Sequence, residues 1–243
     1  MRFWRDFVRN DLKNISRDSL LIFVLTVPWL IPVVFRLAIP PLAMWLENIY
    51  NFDLQPYYPL LLSFAILLQL PLIFGIVFGF LLLDEKDDGV LAAIQVTPLS
   101  VDGYLKQRLL LTFLLSVLYV VFMLPATGLV SLVLLANLIP IILLAGLLGV
   151  GATLFIAFVA NNKVEGLALM KAMGLLMLGP LAAFFIEGRW QLLLGVVPSY
   201  WLAKAYWLAS AGANAWLYIL AGLSYLILLI YLLLKRFRRK YAV

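Results

Sequence analysis

The sequence predicts an all-α membrane protein with six transmembrane helices, an interfacial amphipathic helix at its start, and re-entrant helices before the last span. Composition is the first reason, because the chain is 65% hydrophobic and 12% charged, whereas about 25% of residues are charged in a soluble domain. The second reason is that apolar residues occur in runs of about 20, the length of a helix that crosses a bilayer. We therefore expect one membrane domain over residues 19–243.

Residues 1–18 are expected to form a helix that lies in the membrane interface, because they carry two stripes at helical spacing. The apolar stripe consists of Trp4, Val8, Leu12 and Ile15, and the basic stripe of Arg5, Arg9, Lys13 and Arg17. The alternative is an ordinary cytosolic leader whose charges lie close to the membrane.

The first two spans are predicted at residues 20–39 and 60–83. Pro40-Pro41 is expected to end the first span. In the second, Gly75 and Gly79 form a pair that would let another helix approach closely. Gln69 is the one strongly polar group of this span. It either hydrogen-bonds a neighbouring helix or lines a translocation path.

Residues 84–108 form the longest polar interruption between apolar runs. They begin with five consecutive charged residues, each of which would cost about 2.5–3.5 kcal/mol at the centre of a bilayer. The segment therefore lies outside the hydrocarbon. A short amphipathic helix is predicted after Gly89, and Thr97-Pro98 is expected to end it. Such a segment could dock another protein at the membrane surface.

Spans three to five are predicted at residues 109–136, at 138–160 and from about residue 166, with a second short polar loop at 161–166. The fifth carries a stripe of adaptable apolar side chains, formed by Met170, Met173, Met177 and Phe184. This stripe is either packed against lipid and core or forms the pliable wall of a hydrophobic substrate path.

Residues 187–213 are apolar enough to suggest a seventh span, but the distribution of basic residues favours six. With six spans, five lysines and arginines precede span one, three lie in the 84–108 loop, two near the 161–166 loop and five follow the last span, which is 15 of 18 on one side. We therefore expect both termini in the cytoplasm, and 187–213 to be a re-entrant pair of short helices on the outer side.

The sequence excludes several kinds of chemistry. It contains no histidine and no cysteine, which removes thiolate and imidazole metal sites and a histidine general base. It also lacks the GxxxxGK[ST] motif of a nucleotide-binding P-loop. We therefore expect no enzyme activity, no metal and no cofactor bound by this chain.

Two polar motifs carry a family resemblance. The segment DEKDDGVLAAIQVTPLS at residues 84–100, with NKVEG at 162–166, resembles the cytosolic loops of type 2 ATP-binding-cassette (ABC) exporter permeases. The six-span topology agrees over essentially the whole chain. In size and motif the sequence is most similar to bacterial drug-export permeases of the fluoroquinolone-exporter kind.

The resemblance implies a permease subunit in a bacterial plasma membrane that exports a hydrophobic or amphipathic, drug-like substrate. ATP and Mg²⁺ would bind a separate cytosolic ATPase, and two permease chains, identical or related, would share a path lined by spans two and five. Gln69 and the methionine stripe are the candidates for that path. The residues expected to contact the ATPase are Asp84, Glu85, Asp88, Gly89, Val90, Leu91, Ile94, Thr97, Pro98, Leu99, Lys163 and Glu165.

Three alternatives remain open at the level of the sequence. A permease for lipid or glycan precursors would also need a narrow apolar path. A membrane scaffold that transports nothing would differ from a transporter in lacking an ATPase partner. An intramembrane enzyme is disfavoured, because the spans contain neither histidine, cysteine nor paired carboxylates.

Overall fold

The computed structural model describes residues 19–90, 101–130, 137–186 and 188–241, and every secondary-structure element in these ranges is helical. Six of its helical stretches are long and apolar enough to cross a membrane, which confirms the predicted fold class. They are span 1 (Ile22–Tyr50), span 2 (Gln55–Asp87), span 3 (Val101–Ala126), span 4 (Ile139–Val159), span 5 (Lys163–Phe185) and span 6 (Trp216–Phe237). The predicted interfacial helix at 1–18 lies outside the described residues.

Span 1 is longer than the sequence predicts. A 3₁₀ turn at Val27–Trp29 separates the helices Ser19–Thr26 and Leu30–Tyr50, and Pro40 and Pro41 lie inside the second of these. The expectation that they end the span was wrong, because membrane helices tolerate proline where the freed backbone groups are satisfied locally. The helix ends instead at Asn51, whose left-handed backbone conformation allows its N–H to bond the Glu47 carbonyl at 3.0 Å.

Span 2 changes its helical geometry along its length. It begins with a 3₁₀ turn at Gln55–Tyr57 and an α-helix at Tyr58–Leu62, continues as a π-helix at Ser63–Leu68, and ends as an α-helix at Gln69–Asp87. The charged residues that follow the apolar run are therefore the last turn of the span rather than the start of a loop.

Span 4 is the central helix and packs against spans 2, 3 and 6. Spans 2 and 4 approach each other closely at Gly75 and Gly79 of span 2, as the spacing of this pair predicts. A β-carbon on Gly79 would come within 2.9 Å of the Ile156 β-carbon. The helix of span 3 begins at Val101 and ends at Ala126, directly after Pro125, and residues 127–130 are not helical, so the prediction that the span continues unbroken to residue 136 was wrong.

Two short helices lie between spans 5 and 6, and we call them the hairpin: a 3₁₀ helix at Arg189–Val196 and an α-helix at Pro198–Ser210. Neither is long enough to cross a bilayer. The turn between them contacts two spans, because Val197 packs beside Gly179 of span 5 and the Tyr225 hydroxyl of span 6 donates to the Val196 carbonyl at 2.6 Å, while the Val196 side chain stays 75% exposed. The turn of the hairpin is thus held against spans 5 and 6.

Candidate functional site

The ends of five spans meet at one end of the bundle, which we call the charged end. It comprises the last turn of span 2, the first turns of spans 3 and 5, the link between spans 4 and 5, and the end of span 6. Lys86 of span 2 donates to the Ala160 carbonyl at the end of span 4 at 3.2 Å. The Phe158 and Phe237 rings pack with their centroids 4.4 Å apart. The two polar loops predicted from the sequence therefore begin side by side.

A partly buried ion pair joins span 2 to span 3. The Arg108 guanidinium donates to the Glu85 carboxylate at 2.6 Å and to the Tyr104 hydroxyl at 2.9 Å, and the side chains of Arg108 and Glu85 are only 15% and 18% exposed. A charge-assisted bond in this position is stronger than one in open water, because the partners are shielded from solvent. It fixes the orientation of the last turn of span 2.

A second, more exposed pair joins span 2 to span 5. The Lys163 ammonium lies 3.0 Å from the Asp84 carboxylate, and their side chains are 63% and 38% exposed. Together with the Lys86 bond to Ala160, this pair means that three consecutive residues of span 2 bind three different neighbouring spans. The charge run is therefore a junction between helices as well as a solvated edge.

Glu165 has a local structural role. Its carboxylate accepts from the Asn161 backbone N–H at 2.8 Å, while its own backbone N–H donates to the Asn162 side chain at 2.9 Å. This reciprocal arrangement caps the first turn of span 5. Of the two residues of this loop predicted to contact an ATPase, Lys163 pairs with span 2 and Glu165 holds the start of the helix.

Several residues at the charged end are exposed to solvent and lie outside these bonds. Asp88, Gly89 and Val90 are exposed, and Gly89 takes a positive φ of 72° that ends the span 2 helix. Val164 is 76% exposed beside the Asp84–Lys163 pair and was not predicted as a contact, although an apolar residue in a short polar loop is a usable signal. The remaining predicted contacts, Leu91, Ile94, Thr97, Pro98 and Leu99, lie outside the described residues.

An apolar cavity of about 290 Å³ lies between spans 2, 4, 5 and 6 and the turn of the hairpin. Met173 and Met177, two of the predicted path residues, line it. The other described lining residues are Leu72, Leu148, Gly151, Ala152, Phe155, Val196, Val197, Pro198, Ser199, Tyr225, Leu226 and Leu229. No charged side chain is among them, so the cavity suits a hydrophobic occupant.

The structure does not bring the other predicted path residues to this cavity. Gln69 is exposed on the outside of the single chain, near the middle of span 2. Phe184 packs on Trp207 of the hairpin, with ring centroids 5.0 Å apart. Met170 is half-buried and is not among the lining residues. The stripe predicted from the sequence is therefore divided between the cavity and the surrounding helix packing, and Phe184 belongs to a second helix that begins after the break at Met177.

Comparison with known proteins decides the family. A family model described as "Fluoroquinolones export permease protein Rv2686c-like" matches residues 11–234. The chain belongs to this family. The permease is 38% identical over 237 residues to fluoroquinolones export permease proteins Rv2686c and MT2760, from the H37Rv and CDC 1551 strains of Mycobacterium tuberculosis. The alignment covers 97% of this chain and 94% of each relative. No solved structure matches.

Two polar residues of the cavity in this permease were not predicted from the sequence. Tyr225 and Ser199 line the cavity where the turn of the hairpin meets span 6, and neither was among the predicted path residues. The same fold leaves Lys204 half-buried, and this burial lowers the pKa of its ammonium group. Burial also raises the pKa of Tyr200 to about 12.

Proposed function

We propose that this chain is the membrane subunit of an ATP-driven ABC exporter in a bacterial plasma membrane. It moves hydrophobic or amphipathic, drug-like molecules out of the cytoplasm, with fluoroquinolones as the first compounds to test because the relatives are named for them. A separate cytosolic subunit binds and hydrolyses ATP with Mg²⁺. The charged end faces the cytoplasm, together with both termini, as the excess of lysine and arginine there favours.

The observation that carries this proposal is the junction at the end of span 2. Asp84, Glu85 and Lys86 bind spans 5, 3 and 4, so a force applied just beyond them reaches three helices at once. A partner that grips residues 87–99 can thus shift several spans together. ATP biases the two states only through its different affinity for them, and changing a 1:99 population to 99:1 takes about 5.5 kcal/mol.

The exposed surface of the single chain supports the presence of a second permease chain. Gln69 places an amide on an otherwise apolar exterior near the middle of span 2. Polar groups within membrane spans are costly when they face lipid and usually face protein or a water-filled path. A second chain, identical or related, would cover Gln69 and leave it facing the space between the two subunits.

The docking proposal is tested by recovering the tagged chain from its native membrane and identifying bound proteins by mass spectrometry. We expect the wild type to retain a protein with a P-loop. Leu91→Asp combined with Ile94→Asp, and separately Val164→Asp, should lose that protein while inserting in the membrane normally. Asn162→Asp is the matched control, since it adds the same charge to the Val164 loop but keeps the helix cap.

Two outcomes would contradict the proposal. A normal amount of ATPase bound to the Leu91/Ile94 double variant would show that the predicted amphipathic helix is not the dock. A wild-type chain that retains no P-loop protein would contradict ATP-driven transport and favour the scaffold alternative.

A further inference from the structure

Ser199 places a hydroxyl group without a hydrogen-bond partner at the wall of the apolar cavity. The residue is 4% exposed, and its side chain makes no hydrogen bond within the part of the chain that the structure describes. Tyr225, the other polar residue of the described lining, already donates to the Val196 carbonyl at 2.6 Å. The described side-chain atoms that are both fully buried and unpaired do not include this oxygen, so it can be reached from the cavity, and an occupant that accepts its proton would gain a hydrogen bond there.

The backbone adds a second donor at the same place. The hairpin helix Pro198–Ser210 begins at the cavity, and no side chain caps its start. Pro198 has no N–H, and the Tyr200 N–H turns back to the Val197 carbonyl at 3.0 Å. Ser199 therefore carries the first N–H of the helix, for which no acceptor exists within the helix itself. The positive end of the helix dipole also favours an electronegative atom at this position.

The rest of the cavity restricts the occupant to an uncharged, largely apolar group. A volume of about 290 Å³ is roughly twice that of an engineered apolar cavity that takes up benzene. An ion would lose its hydration here without a charged partner, which excludes a formal charge. Met173 and Met177 are flexible enough to adapt the wall to flat or branched shapes.

We propose that this cavity, within a single chain, binds the hydrophobic body of a molecule whose carbonyl oxygen accepts a hydrogen bond from Ser199. The substrate class is therefore a neutral aromatic or aliphatic group that bears a carbonyl. The inference that this molecule is transported rests on the proposed function. The inference that it binds in the cavity does not depend on that function.

The test compares two probes of nearly the same shape, 2-acetylnaphthalene and 2-isopropenylnaphthalene, which differ in carrying C=O or C=CH₂. Binding to the full chain in lipid nanodiscs is measured by equilibrium dialysis with chromatographic detection of each probe, with empty nanodiscs as the blank. The ketone should bind about threefold to tenfold more tightly, the contribution of one net hydrogen bond. Ser199→Ala should abolish this preference while leaving the binding of the hydrocarbon unchanged.

A second variant tests the location. A β-carbon on Gly151 would have its nearest neighbours, on Leu226 and Leu229, at 3.9 Å, so the side chain of Gly151→Leu can extend into the cavity and should prevent binding of both probes. Gly174→Leu is the control, since a β-carbon there meets nothing within 4 Å and the position is outside the cavity. It should bind both probes as the wild type does.

Three results would overturn the proposal. They are equal binding of the two probes, a ketone preference that survives Ser199→Ala, and a signal that survives Gly151→Leu, which would mean partition into lipid only. None of these measurements involves an ATPase. If only the ATPase docking test failed, the Ser199-dependent binding of the ketone would still be observed. The failure of one proposal can therefore be distinguished from the failure of the other.

Discussion

Gly75 of span 2 lies so close to Gly149 of span 4 that a β-carbon on Gly75 would come within 2.5 Å of the Gly149 carbonyl oxygen. The same β-carbon would lie 2.6 Å from that of Ala152. Real β-carbons do not approach other atoms this closely, so any residue larger than glycine forces the two backbones apart. Since span 4 also contacts spans 3 and 6, this single separation affects the packing of the whole bundle.

We expect Gly75→Ala to destabilise the protein by about 1–3 kcal/mol, the usual cost of overpacking a close interface. The measurement is the thermal midpoint in detergent, followed by size-exclusion chromatography of the remaining folded protein. Gly174→Ala is the control, because a β-carbon there meets no atom within 4 Å and alanine favours the helix. A Gly75→Ala protein as stable as this control would show that spans 2 and 4 are not in tight contact.

The Gly75/Gly79 contact and the six spans could be predicted because each depends on a local pattern. The contact follows from the four-residue spacing of the two glycines, and the spans follow from the hydropathy of the sequence. The end of span 1 could not be predicted in this way. Pro40-Pro41 stops a helix in water, but within a membrane protein the chain gains nothing by exposing backbone groups, so the helix continues to Tyr50.

Some features of the candidate site could likewise be predicted from the sequence, and others could not. The charge run at 84–88 was predicted as an exposed ATPase contact, which stays a prediction, and the bonds that Asp84, Glu85 and Lys86 make to spans 5, 3 and 4 could not be predicted because they depend on which helix ends lie together. The cavity depends on where the turn of the hairpin contacts spans 5 and 6, so Ser199 and Tyr225 could not be predicted from a local sequence pattern. Met173 and Met177 were predicted from residue type alone. The predicted contacts at 91–99 stay predictions.

The two ion pairs at the charged end should differ in their effect on stability. Glu85→Gln keeps the shape of the side chain but removes its charge beside Arg108, and a charged hydrogen bond is about twice as strong as a neutral one. We expect a loss of about 1 kcal/mol in the free energy of unfolding. The matched change Asp84→Asn should alter it much less, because water screens the exposed pair with Lys163.

Urea unfolding of the purified chain in mixed micelles, monitored by tryptophan fluorescence, can compare the two variants. An Asp84→Asn protein that loses as much stability as Glu85→Gln would contradict the expectation that the less exposed Glu85–Arg108 pair contributes more stability than the exposed Asp84–Lys163 pair.

The hydrogen bond between Trp207 and Ser63 should anchor the hairpin to span 2. The Trp207 indole N–H donates to the Ser63 hydroxyl at 2.9 Å, where Ser63 begins the π-helix, and both side chains are buried. Trp207→Phe removes this donor and part of the ring, and we expect it to cost about 2 kcal/mol. Trp216→Phe, at an exposed position, should have no measurable effect.

A double-mutant cycle separates the bond from the change in volume. Ser63→Ala leaves the Trp207 donor unsatisfied and should be costly in the wild type, but nearly neutral in Trp207→Phe, where that donor is absent. The coupling between the two positions should be about 1 kcal/mol or more. Additive effects of the two substitutions on the thermal midpoint would mean that packing alone holds the hairpin against the π-helix.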